Sequence, residues 1–492
     1  MKHFAARCGV HDAKRESALQ RTLTLIGGAG VEQVRFAWCD LHGVLRGKTL
    51  MPHAAGAALN DGIGMVSTLL LKDTSDRNTY KVFEPGAVEP DFAGAGNLLL
   101  LADPASYRQL PWAQGTGWLQ GQLWFPDGRA VALDTRHVLR QALDALAGVG
   151  LSLRCGLEVE FHIYRVAPDG WRNALDPQQA AWPGLAPAVE LIHPGYNLLA
   201  EGNFDMAHEP LCIVQRTAQA LGLPLRSLEI ELGPSQVEAV FDVTDALSAA
   251  DNMVLFRNGV RQALRRAGYH ATFMCRPPFA NIMSSGWHLH QSLVDADSGA
   301  NRFMRAAPAA QALPVDAQYR LSPLGEHYLA GLLQHARASS ALAVPTINGF
   351  ERFRPNALAP QAVLWGIDNR GAMLRVLGSA GDPGTHIENR LGEPCANPYL
   401  YIASQIHAGL DGIRRALSAA PATDAPYADG HTMLPANLGE ALDALDCDST
   451  MRSAFGNAFV DYFCHIKRAE LARNAQAQDR EDWQRREYFS RF

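Results

Sequence analysis

Gly156-Leu157-Glu158-Val159-Glu160-Phe161-His162-Ile163-Tyr164 is the stretch that decides the architecture. In an extended chain Leu157, Val159, Phe161 and Ile163 fall on one side, and Glu158, Glu160 and His162 on the other. One such strand would be an ordinary sheet strand with a polar outer face. The pattern recurs, however. Leu228-Glu-Ile-Glu-Leu232 puts Glu229 and Glu231 on one face, and Glu238 follows a Gly233-Pro234 turn in SQVEAVF. Trp287-His-Leu-His-Gln-Ser-Leu293 puts His288, His290 and Ser292 together, and His386-Ile-Glu-Asn-Arg390 groups His386, Glu388 and Arg390. Four strands thus offer carboxylates, imidazoles or a guanidinium from one face and apolar side chains from the other.

If these faces line one cavity, five glutamates and a histidine cannot all stay charged without cations. A set rich in oxygen with one imidazole suits Mg²⁺ or Mn²⁺ rather than zinc. Arg352, Arg354, Arg370, Arg375 and Arg390 follow. Arginine clamps carboxylates and steadies transferring phosphoryl groups. Together these groups suggest ATP-dependent phosphoryl transfer to a carboxylate.

The surrounding chain fits an enzyme of this kind. Among 492 residues 47% are hydrophobic and 19% charged, enough to bury a large core. The net charge of −6 argues against a nucleic-acid or anionic-membrane partner. No apolar run is long enough to span a bilayer, and the first residues lack the apolar core of a signal peptide, so a cytoplasmic protein is expected. Eight scattered cysteines form no CxxC pair and read as buried or incidental thiols. Residues 1–20 read as a loosely held lead-in. Residues 20–130 read as a small domain of strands: a hairpin around His42-Gly43, a buried strand at GNLLLLAD, and WLQGQLWF closed by Pro126-Asp127-Gly128. Residues 131–492 read as alternating strands and helices, the first helix capped by Asp134 or Thr135, and the polar tail as a solvated terminal helix.

The strings GLEVEF, EIELGPSQVE, ATFMCRPPF followed by SSGWHLHQSL, NGFERFRP, DNRGAMLRV and HIENRLGEPCANPYL resemble, in order, the signatures of the glutamine synthetase family. VRFAWCDLHGVLRGK resembles its N-terminal entry and WQRREYFSRF its C-terminal end, so the resemblance covers about residues 30–492. It implies an α+β fold: a β-grasp domain, then a catalytic domain whose curved antiparallel sheet forms a funnel. It also implies a homo-oligomeric ring, hexamer or dodecamer, with active sites between subunits. The implied reaction has two steps. ATP phosphorylates the γ-carboxylate of glutamate, and an amine then displaces phosphate. By motif, Glu160, Glu231 and Glu238 match the ligands of one metal, and Glu158, His288 and Glu388 those of a second, in a site of two to three Mg²⁺ or Mn²⁺ ions. Glu160, Glu231 and His288, with Arg352 and Arg390, match the groups around glutamate. His290 and Ser292 resemble nucleotide contacts. Arg370 and Arg375 match residues that steady the phosphoryl group, also on the ATP side, and Arg352, Arg370 and Arg390 are the expected catalytic set.

The departures from the family pattern concern the amine. Ammonium-using members carry a Glu where this chain has Leu358, within Pro355-Asn-Ala-Leu-Ala-Pro360, and an Asp where Asp61-Gly-Ile-Gly-Met-Val-Ser67 puts Val66 or Ser67. A pocket without both carboxylates loses its reason to bind NH₄⁺. The expected enzyme is a γ-glutamyl–amine ligase for an uncharged hydrophobic amine such as aniline, acting in amine catabolism, with Trp287 and Phe353 as possible apolar wall. Polyamine and ethanolamine ligases, glutamine synthetase itself and a non-catalytic family member are the alternatives. Three further departures stand out. Ile282–Trp287 replaces the loop that usually holds the α-amino group of glutamate, His386 stands where an Arg is usual, and Ser235 replaces a turn Gly, read as neutral.

Overall fold

Alternation in the sequence becomes two sheets in the computed structural model, which describes residues 3–28, 30–306, 320–354 and 358–492. In the first, β1 (Gln33–Cys39) and β2 (Leu45–Leu50) form the expected hairpin. It is completed by β3 (Ile63–Val66), β4 (Asn97–Ala102), the short β5 (Arg108–Gln109) and β6 (Thr116–Trp124), in the order β2-β1-β6-β4-β3 with β5 beside β6. β1 and β6 run parallel; the other pairs are antiparallel. Phe36, Trp38, Leu100 and Leu119 are buried beneath the helix Pro52–Asp61 and join the main core.

The second sheet has nine strands. They are β7 (Leu151–Val166), β8 (Val189–Leu191), β9 (Leu225–Ile230), β10 (Gln236–Asp245), β11 (Tyr269–Thr272), β12 (Trp287–Asp295), β13 (Trp365–Ile367), β14 (Leu374–Leu377) and β15 (His386–Gly392). The order is β13-β14-β15-β12-β7-β10-β9, with β8 and β11 also on β7; only β13 and β14 pair in parallel. Its apolar face packs on the long helices Ala246–Arg266 and Pro398–Arg414. Phe161 and Phe241 meet Phe256 edge-on at 5.9 and 4.9 Å, and Trp287 meets Tyr401 at 5.1 Å. Asp134 caps the helix Thr135–Ala147 by accepting from His137 N, as expected.

Three expectations change. The lead-in is tied down: Asp12 caps a helix over Ala13–Ile26 that buries Leu19 and Ile26, and Arg15 donates to the carbonyls of Leu59 and Ala102 at 2.9 Å. Beyond β15 the described chain forms no further strand of either sheet, so alternation stops there. The tail is not solvated. Glu470, Glu487, Tyr488 and Phe489 are buried, Lys467 Nζ lies 3.1 Å from Glu470, and Arg473 bridges Asp73 at 2.9 Å and Glu487. Thr74 N donates to Glu470 at 3.1 Å, so these charges fasten the C-terminus to the first-sheet region. Polar composition concealed this because each buried charge is matched by another. Among the described residues no helix is long and apolar enough to cross a membrane.

Candidate active site

Strand register assembles the site. In antiparallel pairs, directly opposed residues point to the same face. His288 opposes Glu158, Glu238 opposes Glu160, His290 opposes Glu388, and Arg375 opposes Glu388. Since Glu158 and Glu160 share a face, one polar patch runs across β14, β15, β12, β7 and β10, backed by the apolar layer. Glu229 opposes Glu238 on β9, and Glu231 follows two residues later. The distances are short. His288 Nδ1 lies 3.2 Å from Glu158 and 3.6 Å from Glu388, its Nε2 lies 3.7 Å from Glu160, and His290 Nε2 lies 3.1 Å from Glu158.

The charge balance of this patch calls for cations. Burial, then the charges of Glu160, Glu158 and Glu231, push the Glu238 carboxyl up to about 10. Burial and Glu160 push Glu231 up to about 7. On the other side, burial raises Glu388 but His288 and Arg390 outweigh it and hold its carboxyl at about 2. Burial likewise opposes the ionised form of Glu158, yet His288 and His290 keep it well below the usual carboxylate range. Carboxylates that must be protonated to coexist are carboxylates that fit a divalent ion. Ligand atoms of Glu158, Glu238 and His288 lie within 4.8 Å of one another, as do those of Glu158, His290 and Glu388. Oxygen donors with one or two imidazoles suit Mg²⁺ or Mn²⁺.

The arginines surround this patch. Arg352 is buried, donates to the carbonyl of Arg390 at 2.8 Å and places Nη2 3.4 Å from His288 Nε2. Arg390 pairs with Glu388 and donates from Nε to the Arg370 carbonyl at 3.0 Å. Arg375 reaches Glu388 at 3.0 Å and also pairs with Asp368. Arg370 is exposed, as is Arg354. Gly286 lets the chain pass close to the site: its N–H donates to Glu160 at 3.0 Å, and a Cβ there would lie 2.5 Å from Arg352 Nη2, so the guanidinium would have to shift. Beside the patch a cavity of about 930 Å³ is lined by Glu158, Glu229, His290, Ser292, Arg375 and His386.

A model of the glutamine synthetase catalytic domain matches residues 132–488. The chain belongs to the glutamine synthetase family. It is 36% identical to a γ-glutamylanilide synthase of Acinetobacter sp over 99% of this chain and 98% of that protein. It is 32% identical to a γ-glutamylethanolamide synthetase of Streptomyces coelicolor over 95% and 94%, and 31% identical to a glutamine synthetase of Thermococcus kodakarensis over 87% of each. Its fold matches the solved structure of a GmaS–ADP complex with a TM-score of 0.76 at 26% identity, covering 94% of this chain and 98% of that one. The protein is therefore a C–N ligase of glutamine synthetase type with the α+β fold expected from its sequence, in a family that uses ATP and divalent metal.

Within this ligase the other expected positions fall as follows. Ser292 donates to the Thr385 carbonyl at 3.1 Å, and His386 Nε2 lies 3.0 Å from His290 Nδ1, so an imidazole pair occupies the cavity wall where the family pattern has a guanidinium. Val66 is exposed at the end of β3, whereas Ser67 is fully buried within the chain. Trp287 is also fully buried; the alternation that points His288 into the site points Trp287 onto Tyr401, so it cannot wall an amine pocket. Phe353 packs against Phe350 at 5.8 Å. Leu358 is 57% exposed with φ of 53°, and its carbonyl lies 3.4 Å from Arg390 Nη2. Of the segment around it, 355–357 lie outside the described residues. Ser235 does more than replace a turn glycine: at φ of 59° its hydroxyl accepts from Ile192 N at 2.9 Å, a bond glycine cannot make.

Sequence reasoning missed Gln236. It is buried, accepts from Gly233 N at 2.9 Å, and donates to Glu160 at 3.0 Å and to Ser285 Oγ at 3.1 Å. Its position between Glu231 and Glu238 was the available signal. Tyr196 donates to the Asn281 carbonyl at 2.7 Å, just before the altered loop at 282–287.

Proposed function

We propose that the protein joins the γ-carboxylate of glutamate to a hydrophobic or aromatic primary amine such as aniline, through γ-glutamyl phosphate. Residues 20–130 form its β-grasp part and residues 131–492 carry the chemistry, in a homo-oligomeric ring. The observation that carries the acceptor reading is an apolar, exposed Leu358 whose carbonyl faces Arg390, where ammonium users hold a glutamate. The relative named γ-glutamylanilide synthase, alike over nearly its whole length, supports it.

Glu160, Glu231 and Glu238 would hold one Mg²⁺ or Mn²⁺, and Glu158, His288 and Glu388 another. When bound, these ions supply charge neutralisation for the phosphates and the γ-carboxylate. Arg352 and Arg390, both buried beside the acidic patch, fix the carboxylate and charge-match the phosphorylated group. Arg375, held by Glu388 and Asp368, and Arg370 on the rim face the transferring phosphoryl group. His290 and Ser292 border the cavity of about 930 Å³ that takes ATP. An aromatic amine arrives uncharged at neutral pH, so its attack needs no carboxylate to strip an ammonium proton. Leu358 then excludes water from the acyl phosphate.

A small polar amine is the second reading, favoured by the likeness to the ethanolamide synthetase. Steady-state ADP release with glutamate, Mg-ATP and one amine at a time separates these. Aniline should give the highest kcat/KM, and equal or better turnover with ammonium would remove the reading.

A further inference from the structure

The acceptor end described so far is bounded by Leu358, and a second element reaches it. The irregular segment 418–434, between the helices Pro398–Arg414 and Leu438–Cys447, lies along residues 359–372 like a strap. Trp365 Nε1 donates to the Ala420 carbonyl at 2.7 Å, Thr423 N to Trp365 O at 3.0 Å, Val363 N to Thr432 O at 2.8 Å, and Leu434 N to Gln361 O at 2.9 Å. At the middle of the strap, the Tyr427 hydroxyl donates to the carbonyl of Ala359, next to Leu358, at 3.2 Å. The ring lies against Gly371, where a Cβ would meet Tyr427 Cε2 at 3.2 Å and Pro426 Cγ at 2.7 Å, so only glycine admits the strap this closely.

Both ends of this contact belong to the active site. The carbonyls of Leu358 and Arg370, the neighbours of Ala359 and Gly371, both face Arg390, at 3.4 and 3.0 Å. Burial raises the phenol pKa while Arg390 and Arg352 pull it down, which puts the ring in the field of both guanidinium groups. Tyr427 is half-buried, with part of its surface left uncovered. A neutral aromatic surface beside two fixed cations receives a flat uncharged amine and repels an ammonium or polyamine.

We propose that Tyr427 is a specificity residue: with Leu358 it walls the amine entrance, and it selects acceptors with an uncharged apolar body. This rests on the amine-ligase reading above. The test uses full-length Tyr427→Ala, Tyr427→Leu and Tyr427→Phe, with KM measured separately for aniline, glutamate and ATP, and glutamate-dependent ADP release measured without amine. Tyr427→Ala should raise the KM for aniline on the order of 10-fold and hold the KM values of glutamate and ATP within about twofold. Tyr427→Phe should stay within about threefold of the parent, and Tyr427→Leu serves if the alanine variant fails to fold. An unchanged aniline KM, or equal losses for all three substrates, overturns the proposal. If the parent enzyme accepts no aromatic amine, the aromatic reading fails by itself. The same variants are then read on whichever amine is used, where a selective rise in its KM keeps Tyr427 as the acceptor wall and no change removes it.

Discussion

Gln236→Leu would test how the chamber is held. The parent side chain makes two bonds that matter: Nε2 to the Glu160 carboxylate at 3.0 Å and Oε1 from Gly233 N at 2.9 Å. Leucine has nearly the same volume, so the packing cost is small and the polar loss dominates. A hydrogen bond to a charged group is worth about 1.5–3 kcal/mol, and an orphaned buried N–H costs about 1–3 kcal/mol. Leucine's apolar burial offsets part of this, leaving a net destabilisation of about 2–4 kcal/mol. Glu160 would keep only one of its two donors, Gly286 N, and swing more freely. Loss of an orienting partner of a metal ligand typically weakens binding about 10–100-fold. Urea unfolding in EDTA gives the first quantity, and Mn²⁺ titration by calorimetry or electron spin resonance gives the second. Unchanged Mn²⁺ affinity in a folded variant would refute the role of Gln236 and weaken the assignment of Glu160 as a ligand.

Leu358→Glu should move the acceptor preference toward ammonium by at least about tenfold in the ratio of kcat/KM values; an unmoved ratio would place the amine elsewhere. Added Mg²⁺ should stabilise the fold, by about 2.7 kcal/mol at 100 times its dissociation constant, while Glu238→Ala should lose most of that rise in Tm. His335 is clamped between Asp448 at 2.6 Å and Asp411 at 3.0 Å; burial lowers its pKa, but the bonds to these carboxylates outweigh it and raise it. A raised folded pKa gives stability that is complete below the unfolded value, about 6.5, and is lost as pH rises through the folded one. His335→Gln should therefore cost about 2–4 kcal/mol in acid and progressively less in alkali. Parallel stability–pH curves for parent and variant would contradict this.

The sheet was legible because period-two alternation at Leu157–Ile163, Glu229–Glu231, His288–Ser292 and His386–Arg390 has few competing explanations. The register that unites them was not, since pairing depends on contacts between segments roughly 100 or more residues apart, such as His288 with Glu158 and His290 with Glu388. The resemblance named the six metal-binding candidates and the arginines, and the structure gathers these on one face, with Arg370 and Arg375 at its rim. The tail was misread because Glu470, Glu487, Lys467 and Arg473 look like a solvated helix until their mutual pairing is seen. Trp287 was misassigned by adjacency to His288, although alternation itself puts neighbours on opposite faces. Gln236 and Tyr427 escaped notice because neutral side chains carry no charge signature.

The most direct measurement is a competition. Enzyme, glutamate and Mg-ATP are given equal concentrations of aniline and ammonium at neutral pH, and the amides formed are weighed by mass spectrometry. With Leu358 at the acceptor end, γ-glutamylanilide should form in large excess over glutamine. Glutamine as the main product would contradict it.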